Sequence, residues 1–82
     1  MKTIRVLVAD DHTILREGVV ALLNGSGDCR VIGQAADGMR AVELALETEP
    51  DVIVLDVEMP RMDGITFLRQ LMNERPTPVV MC

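Results

Sequence analysis

An unbroken run of branched apolar residues, Val52-Ile53-Val54-Leu55, stops on the carboxylate of Asp56. With no polar alternation to turn one side to water, the run reads as a strand buried on both faces, as in a parallel sheet covered by helices. Asp56 would then stand at the strand's carboxyl end, where open α/β sheets place their chemistry. Pro60 and Gly64 break regular structure before the next helical pattern begins. A carboxylate held there is costly without partners, so something else must reach the same edge.

The first strand supplies it. Ile4-Arg5-Val6-Leu7-Val8-Ala9 is apolar at nearly every position and runs into Asp10-Asp11-His12-Thr13. The period then changes. Ile14, Leu15, Val19, Leu22 and Leu23 recur at helical spacing and are expected to face inward, with Arg16, Glu17 and Asn24 turned away. Gly25-Ser26-Gly27-Asp28 ends that helix, and Arg30 to Ala35 reads as a second strand. Asp37 is positioned to cap a second helix with an inward stripe of Val42, Ala45 and Leu46, while Arg40, Glu43 and Glu47 face water. After the Asp56 strand, Asp63 is positioned to cap a third helix with Ile65, Leu68, Leu71 and Met72 inward. Arg75-Pro76-Thr77-Pro78 stops it, and Val79-Val80-Met81-Cys82 reads as a fourth strand.

The order β-α-β-α-β-α-β implies a parallel sheet with right-handed crossovers. Neighbouring parallel strands point their carboxyl ends the same way, so Asp10, Asp11 and Asp56 would share one crevice. Three close carboxylates repel unless a cation intervenes. Oxygen ligands with room for water suit Mg2+. A divalent ion beside a carboxylate is the arrangement required for phosphoryl transfer to that carboxylate, giving an acyl phosphate. Asp10 or Asp11 alone would read more readily as a helix cap; the presence of Asp56 favours the metal site. His12 reads as a first-turn residue at the rim in preference to a ligand.

Composition excludes several other classes. The chain has 82 residues, a formal net charge of -5, and one aromatic residue, Phe67. Direct nucleic-acid binding by this segment is therefore not expected, for want of both positive charge and stacking surfaces. No apolar run is long enough to span a membrane, the start resembles no export signal, and Cys29 and Cys82 read as two reduced thiols of a cytoplasmic protein. One domain over residues 1–82 is expected, and its open fourth strand could support self-association.

These residues resemble the receiver domain of two-component response regulators. The matches are the Asp10-Asp11 pair, Asp56, and Pro60 and Gly64 four and eight positions beyond it. The resemblance implies a flavodoxin-like doubly wound sheet of strand order 2-1-3-4, here the front part of a receiver, with the final α/β elements absent. It implies that Asp56 accepts a phosphoryl group from a sensor histidine kinase and so switches an output domain or effector protein. Asp11 would ligate Mg2+ directly, Asp10 would assist, often through water, and Glu58 would offer its backbone carbonyl. In that family a Ser or Thr after strand four and a later Lys also contact the phosphoryl group, so weak Mg2+ binding and poor phosphorylation are expected for these 82 residues.

Two subfamilies are represented. Ala9-Asp10-Asp11-His12-Thr13-Ile14-Leu15-Arg16-Glu17-Gly18 is similar to receivers that drive helix-turn-helix transcription factors. The stretch from Asp56 to Gly64, and Pro76 to Met81, are similar to receivers of the chemotaxis protein-glutamate methylesterase. The alternative from another class is a phosphohydrolase with an aspartyl-phosphate intermediate, but Asp56-Val57-Glu58 is followed by Met59 and Pro60, and no acid/base partner is evident. An inert interaction fragment is the third reading. Neither GxGxxG nor a Walker loop follows the first strand, which disfavours a nucleotide site.

Overall fold

The computed structural model describes residues 3–56, 66, 69, 70, 73 and 76–81. Six elements have defined bounds: β1 (Ile4–Ala9), α1 (Thr13–Gly25), β2 (Cys29–Ala35), α2 (Gly38–Thr48), β3 (Val52–Leu55) and β4 (Val79–Met81). The described strands form one parallel sheet ordered β2-β1-β3-β4, the order implied by the resemblance. The second strand starts at Cys29, one residue earlier than predicted, because the amide of Ile4 donates to the carbonyl of Asp28 and Ile4 then pairs with Cys29. Thr66, Arg69, Gln70 and Asn73 are helical and exposed, in keeping with a third helix. Its expected cap Asp63 and inward residues Ile65, Leu68, Leu71 and Met72 lie outside the described residues, as do Glu58, Pro60, Gly64, Phe67 and Cys82.

The central strands carry the core. Val6, Leu7, Val8 and Ala9 are all buried, so β1 is covered on both faces, as its uninterrupted apolar sequence requires. Leu7, Ala9, Ile53, Leu55 and Ala35 form one packed face with Ala41, Val42 and Ala45 of α2. Small alanines on α2 bring its backbone close to the sheet, and Gly33 extends the same close approach. A methyl group at Gly33 would meet Leu7 Cδ1 at 3.2 Å and Leu44 Cδ1 at 3.7 Å. The β1–β2 register also slips here, since Val6 pairs with Val31 but Leu7 pairs with Gly33, leaving Ile32 as the extra residue of a bulge.

Identifiable contacts fix both ends of α2. Asp37 caps α2 as predicted, its Oδ1 accepting the amide of Arg40 at 2.9 Å. The other end of α2 stops at Glu49, whose φ of 52° is left-handed. Arg5 reaches across from β1 to this end, donating to the carbonyls of Thr48 at 2.6 Å and Glu49 at 2.8 Å. A guanidinium on the last carbonyls satisfies orphan acceptors and complements the helix dipole. The same region fixes β3 beside β1, because Asp51 Oδ2 accepts the Arg5 amide and Arg5 carbonyl accepts the Asp51 amide.

Two predicted stripes need correction. In α2, Leu46 is exposed and Ala41 takes the buried place, a rotation of the inward face by the small residues that allow close packing. In α1 no residue is fully buried. Ile14 is 86% exposed and Leu22 77%, with Leu15 also exposed. Val19 and Leu23 are half-buried as predicted, but Arg16 and Val20 join them in place of Ile14, Leu15 and Leu22, at i, i+3, i+4, i+7 spacing. Helix α1 therefore carries apolar residues on two sides, and periodicity alone cannot say which side meets the sheet.

Ile53 is fully buried at the junction of the β1–β3–β4 pairing and the α2 face. Truncation to Ala is expected to cost about 2–5 kcal/mol, measured by chemical denaturation, whereas Leu22→Ala on the open side of α1 should cost far less.

Candidate functional site

Two ladder hydrogen bonds carry the strands one residue past their formal ends. The amide of Asp10 donates to Ala35 of β2 at 3.0 Å, and the amide of Asp56 donates to Ala9 of β1 at 2.9 Å. Both aspartates are thus held by sheet geometry at the carboxyl edge of adjacent strands. Their side chains are 16% and 17% exposed, and that of Asp11 is 27% exposed. The predicted convergence of Asp10, Asp11 and Asp56 is present.

The structure adds His12 to this group. It occupies the N-cap position of α1 with an extended backbone, and its side chain makes no capping hydrogen bond. Its amide donates to Asp10 Oδ1 at 2.9 Å, a local turn that folds the loop back on itself. Its Nδ1 then lies 3.3 Å from Asp10 Oδ1, 3.1 Å from Asp11 Oδ1 and 3.6 Å from Asp56 Oδ2. The ring is a rim residue, 57% exposed, as expected, but its near nitrogen faces the crevice. Neither aspartate beside it caps α1 with its side chain, so the cap reading of Asp10 and Asp11 gives way to the pocket reading.

Arg16 is the functional residue that the sequence reading misplaced. It is half-buried against the sheet, donating through Nη1 to the carbonyl of Asp10 at 2.7 Å and through Nε to Gln34 Oε1 at 3.2 Å. It ties the Asp10 loop to β2 from below. A signal existed: a cation in the first turns of a helix opposes the dipole there, so its presence asks for another partner.

One atom tests whether the crevice fits a cation. Asp11 Oδ1 is shielded from solvent and accepts no hydrogen bond among the described residues. Its 3.1 Å approach to His12 Nδ1 is an electrostatic contact without hydrogen-bond alignment. A shielded carboxylate oxygen lacking a donor is costly unless a positive charge faces it. With Asp10 and Asp56 beside it, all three partly exposed and so leaving room for water, Asp11 completes the kind of oxygen donor set that Mg2+ prefers. Asp10, Asp11, His12 and Asp56 each bring a ligand atom within 4.8 Å of the others. The residues fit a divalent ion; Glu58 lies outside the described residues.

An open parallel α/β sheet of order 2-1-3-4, with aspartates converging at its carboxyl edge, is the architecture of a receiver domain of two-component response regulators. The chain belongs to the response regulator receiver domain family, whose pattern matches residues 6–82. Among its relatives, protein-glutamate methylesterase/protein-glutamine glutaminase 1 of Pseudomonas savastanoi pv. phaseolicola is 56% identical over 81 residues, covering 99% of this chain and 23% of that protein. The chain thus spans about a quarter of the length of such relatives. The response regulator domain of Thermotoga maritima CheB superposes with a TM-score of 0.94 at 44% identity, covering 98% of this chain and 60% of that one. The receiver domain of the putative regulator NarL from Mycobacterium tuberculosis gives 0.93 at 44% identity, over 99% of this chain and 66% of that one. The CheX-CheY-BeF3-Mg2+ complex from Borrelia burgdorferi gives 0.86 at 32% identity, over 95% and 60% of the two chains.

The surrounding carboxylates raise the pKa of His12 above 6.5, chiefly through the hydrogen bond with Asp10 and then the charge of Asp11, with desolvation partly opposing them. A raised folded-state value means that the protonated ring favours the fold below about 6.5, its unfolded value, and that this contribution disappears as pH rises through the folded value. In metal-free buffer the imidazole is expected to titrate above 6.5, and Asp10→Asn to lower its midpoint, both read from histidine ring NMR shifts against pH.

Proposed function

We propose that Asp56 is the phosphoacceptor of a signalling switch, with Asp10 and Asp11 holding the Mg2+ that the reaction needs. The observation that carries this reading is the convergence of the three carboxylates at one strand edge, with Asp11 Oδ1 shielded and lacking a hydrogen-bond donor among the described residues. The donor is a sensor histidine kinase. An Asp56 carboxylate oxygen attacks phosphorus in line, the bond from phosphorus to the kinase imidazole breaks, and the pair of electrons returns to that imidazole. The product on this chain is an acyl phosphate. Mg2+, when bound, offsets charge on the phosphoryl oxygens. Asp11 would ligate it directly, Asp10 would assist through water, and the Glu58 carbonyl would complete the protein's share.

The ladder bond to Ala9 fixes the backbone of Asp56, and the Arg16 bond to the Asp10 carbonyl fixes the opposing loop. The pocket is thus held by main-chain contacts on both sides, which is how a small domain orients reacting groups without a deep cleft. The output is a conformational change biased by the new charge on Asp56, passed to an output domain or effector protein. The similarity to protein-glutamate methylesterases supports a chemotaxis role for a longer parent; the similarity to NarL keeps transcription as the alternative output. Residues 1–82 are read as the front part of a receiver, supported by the 60–66% share of the solved receiver chains that they cover. A cytoplasmic location fits the kinase partner; among the described residues no helix is long and apolar enough to cross a membrane. Strand β4 pairs on one side only among the described residues, and the exposed Val80 supports self-association there as a second role.

Incubation with acetyl phosphate and Mg2+, followed by mass spectrometry, tests the assignment. Slow labelling of Asp56 alone is expected, abolished by chelation and by Asp56→Asn. Labelling that survives Asp56→Asn would overturn it, and sustained phosphate release from generic phosphoesters would mark the phosphohydrolase instead.

A further inference from the structure

We infer that His12 is a nitrogen ligand at the rim of the carboxylate pocket, and that it shifts the preference of the site from Mg2+ toward transition dications such as Co2+ and Zn2+. The inference rests on the dication reading of Asp10, Asp11 and Asp56, and concerns which ion that pocket selects. Its first support is distance. Donors at about 2.1 Å from one ion stand roughly 3.0 Å apart at right angles and about 3.4 Å apart in a tetrahedron. His12 Nδ1 lies 3.3, 3.1 and 3.6 Å from oxygens of Asp10, Asp11 and Asp56, each a distance suited to adjacent ligands, and a small closing of the four atoms, now within 4.8 Å of one another, would let them share one ion.

The second support is that the ring is placed by its backbone. The His12 amide is held by Asp10 Oδ1 at 2.9 Å, and its carbonyl accepts the Arg16 amide at 2.8 Å as the first bond of α1. The residue's own position at the pocket mouth is therefore fixed before the side chain does anything. Among the described residues the partners of Nδ1 are pocket carboxylates, and more than half of the side chain remains open to solvent, so an ion can enter without unfolding a packed group. The third support is Asp11 Oδ1, shielded, without a hydrogen bond among the described residues, and closest of the three carboxylate oxygens to that nitrogen.

Chemistry then sets the direction of the preference. Carboxylate and water suit Mg2+, whereas imidazole suits zinc, copper, iron and nickel, and divalent affinity for mixed nitrogen and oxygen sites rises along the first transition row. Three carboxylates alone make a hard site. Adding one neutral imidazole nitrogen gives little to Mg2+, which holds its water, but a strong bond to Co2+ or Zn2+.

The test compares Co2+ and Mg2+ binding to this 82-residue chain and its His12→Gln variant at one mildly alkaline pH, by titration calorimetry and visible Co2+ absorption. The ratio of Co2+ to Mg2+ affinity is expected to fall roughly tenfold or more in the variant. Because the chain has a single histidine, 15N NMR with Zn2+ should move Nδ1 and not Nε2. An unchanged affinity ratio, or a zinc shift at Nε2 alone, would overturn the role of His12 while leaving Mg2+ binding and the pocket intact. Failure of the unsubstituted chain to bind either ion would remove the pocket reading itself, and this inference with it. Circular dichroism of the variant checks that the exposed substitution leaves the fold unaltered.

Discussion

The parallel pairing of β1 with β3 is the constraint on which the rest of the molecule depends. Val6 to Ala9 lie against Val52 to Leu55 in unbroken register, and that register delivers Asp56 beside the Asp10-Asp11 turn. A one-residue slip would reverse every side chain of β3, moving Ile53 and Leu55 out of the α2 core. Core packing and pocket assembly are thus enforced by the same alignment. The apolar cost of a slip protects the geometry of three carboxylates that would otherwise repel.

Charge at the pocket is managed by backbone and not by bulk. Asp10 and Asp56 are anchored by amide bonds that prolong the sheet, Arg16 grips the Asp10 carbonyl, and His12 supplies a proton-dependent positive charge at the mouth. At the opposite end of the sheet Arg5 closes α2 on its last carbonyls. The two arginines do parallel jobs, each donating from its guanidinium to main-chain oxygen, Arg5 twice and Arg16 once, to fix where a helix or loop meets β1. Their energetic value lies in satisfied carbonyls, so it depends less on salt than a surface ion pair would.

Helix α1 shows how an amphipathic pattern can mislead. Its apolar residues are numerous enough that two different stripes satisfy a 3.6-residue period. The stripe through Val19, Val20 and Leu23 meets the sheet, and that through Ile14, Leu15 and Leu22 does not. The helix was legible; its rotation was not. Helix α2 repeats the lesson on a smaller scale, where Ala41 is buried in place of Leu46 because close approach of backbones rewards small residues over large ones.

Sequence alone determined the alternation of elements, the Asp37 cap and the sites at which strands end on acid residues. These follow from local pattern, since propensity, turn chemistry and apolar runs act over a few residues. Tertiary structure decided which face of each helix is covered, where the β1–β2 register slips at Ile32, and that Arg16 and the ring nitrogen of His12 belong to the acidic pocket. Those outcomes depend on the distance between groups brought together by strand pairing and helix docking, a quantity that no spacing along the chain contains.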